Sequence, residues 1–479
     1  VGTTVFERNV PPASVVAHSL AETRSRVFWL DDLPDHLRPD RPPLRGAVAT
    51  DLVIVGAGYT GLWTALLAKL RDPHRRVVVV EANRVGWAAS GRNGGFCEAS
   101  LTHGHENGAR RWPKEIATLE RLGMENLDEI GATVADLGLD VQFERTGQLA
   151  PAVEPHQLAW LEQWRDEAAD DPDVVYLDAD EVQRSVASPT YLAAVWEKRN
   201  SALVHPARLT AELARAAEER GVEIFERSRV IDVVTPGGGG VSVHTELGRV
   251  DGAQGVLATN VFPSLLRRNR LMTVPVYDYV LMTEPLTASQ RDAIGWRDRQ
   301  GIGDLANQFH YYRMTQDGRI LFGGYDALYH YGRRVDPAYE HRPDVWAKLA
   351  SHFFTTFPQL EGLRFTHQWA GAIDSSTQFT AFFGTARKGR LAYAAGFTGL
   401  GVGSTRFAGN VMLDLLDGAR TERTSLEMVR GRPLPFPPEP AAAIGINATR
   451  WSMDRADHNE GRRNVLLKTL DAMGLGFDS

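Results

Sequence analysis

The clearest pattern of apolar and polar positions begins at Asp51. Leu52-Val53-Ile54-Val55 is continuously apolar and runs into Gly56-Ala57-Gly58-Tyr59-Thr60-Gly61, after which Leu62 to Leu70 reads as a helix. A short unbroken apolar run bounded by glycine predicts a strand buried on both faces. A second such run, Val77 to Val80, ends at Glu81. Strand, glycine turn, helix and strand together predict a Rossmann-like α/β unit.

Further along, Ile116, Leu119, Leu122, Leu127, Ile130, Val134 and Leu137 share helical spacing and predict one or two helices over 113–137. Short strands are expected at 141–150, an acidic helix near 155–170 and an amphipathic helix over 207–220. Two β runs, 229–234 and 241–247, flank Gly237 to Gly240 and predict a hairpin. Strands follow at 274–283 and 309–323, and a glycine-rich segment, 396–403, leads into a helix ending near Leu416. The tail from Arg430 is Pro-rich up to a final helix around 460–473. Residues 1–50 are rich in Pro, Arg and Asp around Phe28 and Trp29, and read as an extended arm packed on the surface of the main body.

Composition narrows the function classes. The chain has 479 residues, enough for two to four domains, and its 43% hydrophobic and 24% charged residues are ordinary for a soluble globular protein. A net charge of -7 leaves no basic footprint, so no nucleic-acid partner is expected. The apolar stretch Leu52 to Leu70 is interrupted by glycines, so no membrane insertion is expected. Glu7 and Arg8 interrupt the start, where no apolar leader run is visible. The single cysteine, Cys97, excludes an internal disulfide and makes a reducing cytoplasm the expected setting.

The glycine turn carries the first chemistry. Gly56, Gly58 and Gly61 serve a tight turn, close approach of backbone to a pyrophosphate, and close helix–strand packing. The phosphate would meet free N–H groups at the helix start, around Tyr59 and Thr60. Glu81 follows the last glycine by the spacing at which an acid accepts hydrogen bonds from ribose hydroxyls, with Ala82 beside it. A carboxylate there repels a 2′-phosphate, and Arg84 is read as a surface residue. These features specify a dinucleotide without separating NAD from FAD.

Gly86-Trp87-Ala88-Ala89-Ser90-Gly91-Arg92-Asn93-Gly94-Gly95 resembles the Gly-x-Ser-Gly-Arg-Asn-Gly-Gly segment of the D-amino-acid oxidase, glycine oxidase and sarcosine oxidase superfamily of FAD proteins, especially its γ-glutamylputrescine oxidase-like branch. Val204-His205-Pro206-Ala207-Arg208-Leu209, Gly255 to Asn260, Asp317 to Gly324 and the 396–403 loop resemble further family segments in the same order. The resemblance implies FAD as cofactor, contacted also by Ala89, Ser90, Gly91, Arg92, Asn93, Gly94, Gly95, Val230, Thr259, Gly371, Gly396, Gly399, Leu400, Gly401 and Val402. It implies an α/β (α+β overall) fold. A Rossmann-like FAD-binding domain (51–140, 205–265 and 366–425) interleaves with a substrate domain on a mostly antiparallel sheet (141–204 and 266–365), between an arm (1–50) and a tail (426–479).

The resemblance further implies hydride transfer from the C–H beside an amine nitrogen to flavin N5, with the imine then hydrolysed and oxygen as acceptor. Such chemistry needs positioning and a dry ring face more than acid–base groups. In Phe309-His310-Tyr311-Tyr312-Arg313, strand periodicity puts His310 and Tyr312 on one face and Tyr311 and Arg313 on the other, and one face is expected to look into the pocket. Arg313 is a candidate for a substrate carboxylate. Trp369 and Asp374 lie in a stretch resembling one beside the flavin, and Asp374 is a candidate for holding an ammonium group. Tyr325, Asp326, Tyr329, His330 and Tyr331 suggest an aromatic lid. Cys97 is read as a buried, inert thiol, and His103-Gly104-His105-Glu106 lacks a signalled third ligand, so no metal is expected. Two alternatives stay open: a dehydrogenase passing electrons to a quinone or protein, and a flavin-binding protein without turnover. The oligomeric state is not legible.

Overall fold

The structure, a computed structural model, describes residues 2–475. Its first sheet has five parallel strands in the order 222–225, 77–80, 46–55, 248–257 and 391–395. The long strand Gly248–Leu257 changes neighbours along its length. Its first half pairs with 241–245 of an antiparallel hairpin, and its second half with Leu391–Ala395, which in turn pairs with Phe382–Ala386. The expected hairpin forms, with Val234 opposite Ser242 across the glycines.

The apolar run at 52–55 has the expected cause. Leu52 and Ile54 pack in the core that holds the helices, while Val53 and Val55 pack with Val241, Val243, Leu257 and Tyr393 on the other face. Burial of each such side chain stabilises by about 1.5–3 kcal/mol. The helix Tyr59–Arg71 is buried from Tyr59 to Lys69. A helix apolar on all sides belongs in an interior, and this one lies between Pro206–Glu218 and Gly401–Leu416. It stops at Asp72, before Pro73.

The second sheet, largely antiparallel, runs in the order 24–25, 365–376, 273–283, 320–324, 310–314, 301–303, 148–152, 193–197 and 174–177. On one face Tyr277, Tyr279, Tyr312 and Phe322 pack beneath the helix Pro343–Thr356. On the other, Val280, Met282, Leu321 and Trp369 pack against Phe28, Trp29 and Ala207. Architecture and sheet types agree with the expected fold class.

Several local expectations change. One 21-residue helix, Ile116–Asp136, covers the predicted 113–137 span. Only Gln148–Ala152 becomes a strand near 141–150. The first fifty residues are not an extended surface arm: they form short helices that bury Val5 and Phe6 in one core and Phe28 and Trp29 in another, and residues 46–50 already belong to the first sheet. The tail contains a helix, Ala441–Asp457, ahead of Val465–Ala472. Among the described residues no helix is long and apolar enough to cross a membrane.

Candidate functional site

The parallel strands end in rank. Val55 pairs with Val80 and with Leu257, Val80 with Phe225, and Leu257 with Tyr393. Gly56, Glu81, Thr259 and Gly396 therefore emerge along one carboxyl edge, where ligands bind in open α/β sheets. Val230 begins the hairpin strand paired at Thr245, partly buried, and Ala82 is exposed just beyond Glu81.

The glycines at this edge are held to their identity by close approaches. Gly56 has φ +108°, and a Cβ there would lie 2.5 Å from the Ala258 carbonyl oxygen. A Cβ at Gly61 would lie 1.9 Å from the Gly56 carbonyl oxygen, whereas one at Gly58 meets only the Ser90 hydroxyl, at 2.8 Å. The Tyr59 N–H, at the helix start, donates to that hydroxyl over 3.0 Å, and Thr60 is buried behind it. Glu81 accepts from the Ala57 N–H (2.8 Å), the Asn83 N–H (2.8 Å) and the Trp87 indole N–H (2.9 Å). Burial pushes its carboxyl above the usual range while these donors pull it back.

The segment 86–95 bridges the two sheets. Asn93 braces it internally, donating to the Ala89 and Ser90 carbonyls and accepting from the Gly95 N–H. Ala89 to Gly91 make a single 3-10 turn. The Arg92 guanidinium binds the Trp87 carbonyl and, at 2.6 Å, Glu340. From the second sheet Trp369 donates its indole N–H to the Arg92 carbonyl (2.7 Å), and Trp29 donates to the Asn93 carbonyl (2.9 Å). Gly371 faces Arg92, and Gly94 is pressed against Tyr311, whose ring carbon would lie 2.7 Å from an added Cβ. Gly95, at φ +81°, abuts the Val204 carbonyl.

The third glycine loop is tied to Asp374. Its buried carboxylate accepts from the Gly396 N–H at 2.5 Å, and its carbonyl accepts from the Thr398 N–H. Gly396 and Gly399 have positive φ, and Leu400, Gly401 and Val402 then open the helix Gly401–Leu416. Burial pushes the Asp374 carboxyl up to about 7, against the pull of the Gly396 and Phe397 N–H groups. Since the folded state favours the protonated form, this group's contribution to stability is fullest below the unfolded pKa near 4 and is lost as pH rises toward about 7. Asp374→Asn is therefore expected to flatten thermal stability against pH across that window. The change is up to about 1.4 kcal/mol per pH unit, read by calorimetry of the two proteins in parallel.

The strand His310–Met314 separates the proposed catalytic residues. His310 and Tyr312 face the core under Pro343–Thr356. His310 sits 2.7 Å from Asp304 and 2.9 Å from His352, and the Tyr312 hydroxyl meets that of Tyr191. Tyr311 and Arg313 face the 86–95 loop, so the structure brings Arg313, Trp369 and Gly371 to the glycine segments and leaves His310 and Tyr312 behind the sheet. Arg313 is 1% exposed, donates to the Val204 carbonyl at 2.6 Å and lies over the Trp29 ring. Desolvation pushes it down to about 10.

Of the residues suggested as an aromatic lid, Asp326, Tyr329 and His330 line one pocket with Arg342, Lys348 and Arg450. Tyr325 stacks on His310, Asp326 pairs with Lys348 at 2.6 Å, Tyr329 bonds Glu439, His330 stacks on Tyr339, and Tyr331 is exposed. Cys97 is buried in the ladder opposite Ala202, its thiol pushed up to about 12 by desolvation. His105 pairs with Glu120. Tyr311, placed with Arg313 on one face of the candidate strand, has a partner that the sequence reading did not single out: Asp278, whose carboxylate accepts from the Tyr311 hydroxyl. The available signal was a lone acid within the apolar strand Thr273–Thr283.

These residues suit FAD. Three glycine segments with main chain at close quarters, two helix N-termini and a ribose-spaced carboxylate converge on one edge. Buried polar atoms without partners, Asn260 Oδ1 just past the strand Gly248–Leu257 and Arg313 Nε on the strand His310–Met314 beside Gly95, are found next to these segments. Comparison with known proteins agrees. Residues 51–415 match the family described as DAO, FAD dependent oxidoreductase. The chain is 30% identical over 397 residues to the gamma-glutamylputrescine oxidoreductase of Escherichia coli, covering 78% of this chain and 85% of that one. It is 28% identical over 391 residues to the probable oxidoreductase OrdL of Haemophilus influenzae, covering 79% and 85%. Among solved structures, glycine oxidase from Bacillus cereus superposes with a TM-score of 0.66 at 20% identity, covering 80% of this chain and 99% of that one. With a strand–turn–helix edge of this geometry and a family match spanning most of its length, the chain belongs to the DAO family of FAD-dependent oxidoreductases.

Proposed function

We propose that the protein oxidises an amine or amino acid by removing hydride from the carbon beside nitrogen, releasing an imine that water hydrolyses, with oxygen taking the electrons as hydrogen peroxide. The carrying observation is the 86–95 loop, clamped between the sheets by Trp29, Trp369 and Glu340, with the partly open Tyr311 and Asp278 side chains beside it. Bound FAD would supply the two-electron acceptor. The E. coli relative's name, a γ-glutamylputrescine oxidoreductase, supports an amine substrate.

In this reading Gly56, Gly58, Gly61 and the Tyr59 helix start hold the pyrophosphate, Glu81 the ribose hydroxyls, and Gly94, Gly95 and the 396–402 loop the flavin ring edges. When FAD is bound, the helix start at Gly401 would offer positive potential to the charge that reduction adds. Gly371 and Trp369 would hold the loop from the substrate side, and a discontinuous FAD-binding domain and a substrate domain are part of this reading, although strand 365–376, expected in the former, pairs within the second sheet. A reducing, cytoplasmic setting is suggested by the single cysteine.

The test is anaerobic mixing of the yellow holoprotein with a panel of amines and amino acids. Bleaching of the flavin by a panel member is expected. Readmitting air should restore the colour with one peroxide per turnover; reoxidation only by a quinone would instead favour the dehydrogenase, and no bleaching at all would remove the catalytic reading.

A further inference from the structure

Among the described residues, the partly exposed carboxylate of Asp278 on the second sheet pairs with no cation. Asp278 lies in the strand Thr273–Thr283, opposite Gly371 of the neighbouring strand, and Gly371 in turn faces Arg92 of the 86–95 loop. Its hydrogen-bond donors are the Tyr311 hydroxyl and the main-chain N–H groups of Tyr279 and Gly324. Tyr311 in turn is wedged between Gly94 and Gly323, where no larger residue fits, and its ring meets Phe96 edge-on. Both Asp278 and Tyr311 keep part of their surface exposed, as do Gly371, Ala372 and Ile373 alongside, whereas Tyr312 on the far face is sealed. Placing a carboxylate among apolar strand residues is costly unless a cation arrives.

Of the guanidinium groups nearby, that of Arg313 keeps an unpartnered Nε but is only 1% exposed. Arg92 pairs with Glu340, and Arg313 is buried against the Val204 carbonyl and Trp29. A substrate carboxylate reaching the exposed part of Asp278 would meet it before the buried Arg313 or the Glu340-paired Arg92, and like charges in such a setting repel strongly. An ammonium group would meet an acceptor already oriented by Tyr311.

We propose that Asp278 holds the substrate's ammonium nitrogen, with Tyr311 as the residue that positions its carboxylate, so that the site takes cationic amines in preference to α-amino acids. This rests on the reading of amine oxidation given above. Desolvation pushes the Asp278 carboxyl up to about 6, so it carries its charge at neutral pH and loses it, and its hold on a cation, as pH falls through that value. Tyr311, pushed well above its ordinary range, stays a neutral donor throughout.

The experiment measures the thermal shift of the holoenzyme with n-butylammonium chloride, against potassium chloride and sodium butyrate at matched ionic strength, for wild type, Asp278→Asn and Tyr311→Phe. Flavin reduction by a primary amine is followed in parallel. Wild type should be stabilised by butylammonium alone, and less so below about pH 6. Asp278→Asn should weaken amine binding by about 10- to 100-fold, raising KM, while retaining flavin; Tyr311→Phe should weaken it by less. If Asp278→Asn does not fold, a weakened shift in Tyr311→Phe carries the test. Stabilisation by butyrate, no butylammonium shift in wild type, or an equal shift in both variants would overturn the assignment. A shift that depends on Asp278 without any flavin reduction would leave the assignment standing and remove amine oxidation.

Discussion

Gly61→Ala is expected to strip the protein of its flavin and to lower its stability by about 3 kcal/mol or more. The added Cβ would lie 1.9 Å from the Gly56 carbonyl oxygen and 3.3 Å from the Ile54 side chain. A main-chain oxygen in a tight turn cannot rotate away, so the helix Tyr59–Arg71 must lift from the strand. That helix is buried along nearly all its length, so the shift is transmitted to the helices on either side. Gly58→Ala provides the contrast. Its Cβ meets only the Ser90 hydroxyl, a side chain able to turn at the loss of one hydrogen bond to the Tyr59 N–H, a cost of about 1 kcal/mol. The melting temperatures of the flavin-free proteins distinguish the two, since Gly58 also belongs to the turn read as holding the pyrophosphate. Equal losses in both variants would show that helix–strand packing at Gly61 is not the controlling contact.

Glu81→Ala is expected to weaken flavin binding by at least about 100-fold, with destabilisation of the flavin-free protein by about 3 kcal/mol. The carboxylate satisfies three N–H groups at once, from Ala57 in the glycine turn, Asn83 beyond the strand and Trp87 in the bridging loop. Its removal leaves those donors unsatisfied in a buried place and detaches the turn from the loop. Glu81→Gln keeps the volume but presents an amide N–H₂ toward donors, and should recover only part of the loss. Fluorescence titration of the flavin-free protein with FAD measures the affinity, and retention of wild-type affinity by Glu81→Ala would exclude a ribose role. Both substitutions act on the edge where the strands end, which links sheet register directly to cofactor binding.

The two sites differ in how far they could be read in advance. The cofactor edge was legible because its signals are local. A strand buried on both faces must be continuously apolar, a turn with φ near +108° must be glycine, and a helix start must follow at once. The substrate side was less legible. Alternation along 310–314 fixed two faces but gave no sign of which looked toward the glycines, because aromatic residues occupy both. The face was settled by the helix Pro343–Thr356, which covers His310 and Tyr312 and leaves Tyr311 and Arg313 toward the loop.

Asp374 carries the same lesson. A lone acid near the flavin segments suggested an ammonium partner, yet its carboxylate is bound to the N–H groups of the loop after Leu391–Ala395. Asp278, a lone acid in an apolar run, lies opposite Gly371 only because two strands far apart in the chain pair in that register. The N-terminal fifty residues likewise looked like a surface arm, and became core once Phe6 and Trp29 met partners from distant segments.

The sequence by itself determined the glycine-rich strand edge, the helix that follows it and the kind of sheet on each side, since these depend on neighbours within a few residues and on side-chain volume. The tertiary structure alone decided which face of the second sheet meets the 86–95 loop, where each buried charge finds its donors, and which carboxylate stays partly exposed beside Tyr311. Those outcomes depend on strand register and on desolvation by remote residues, which no local pattern encodes.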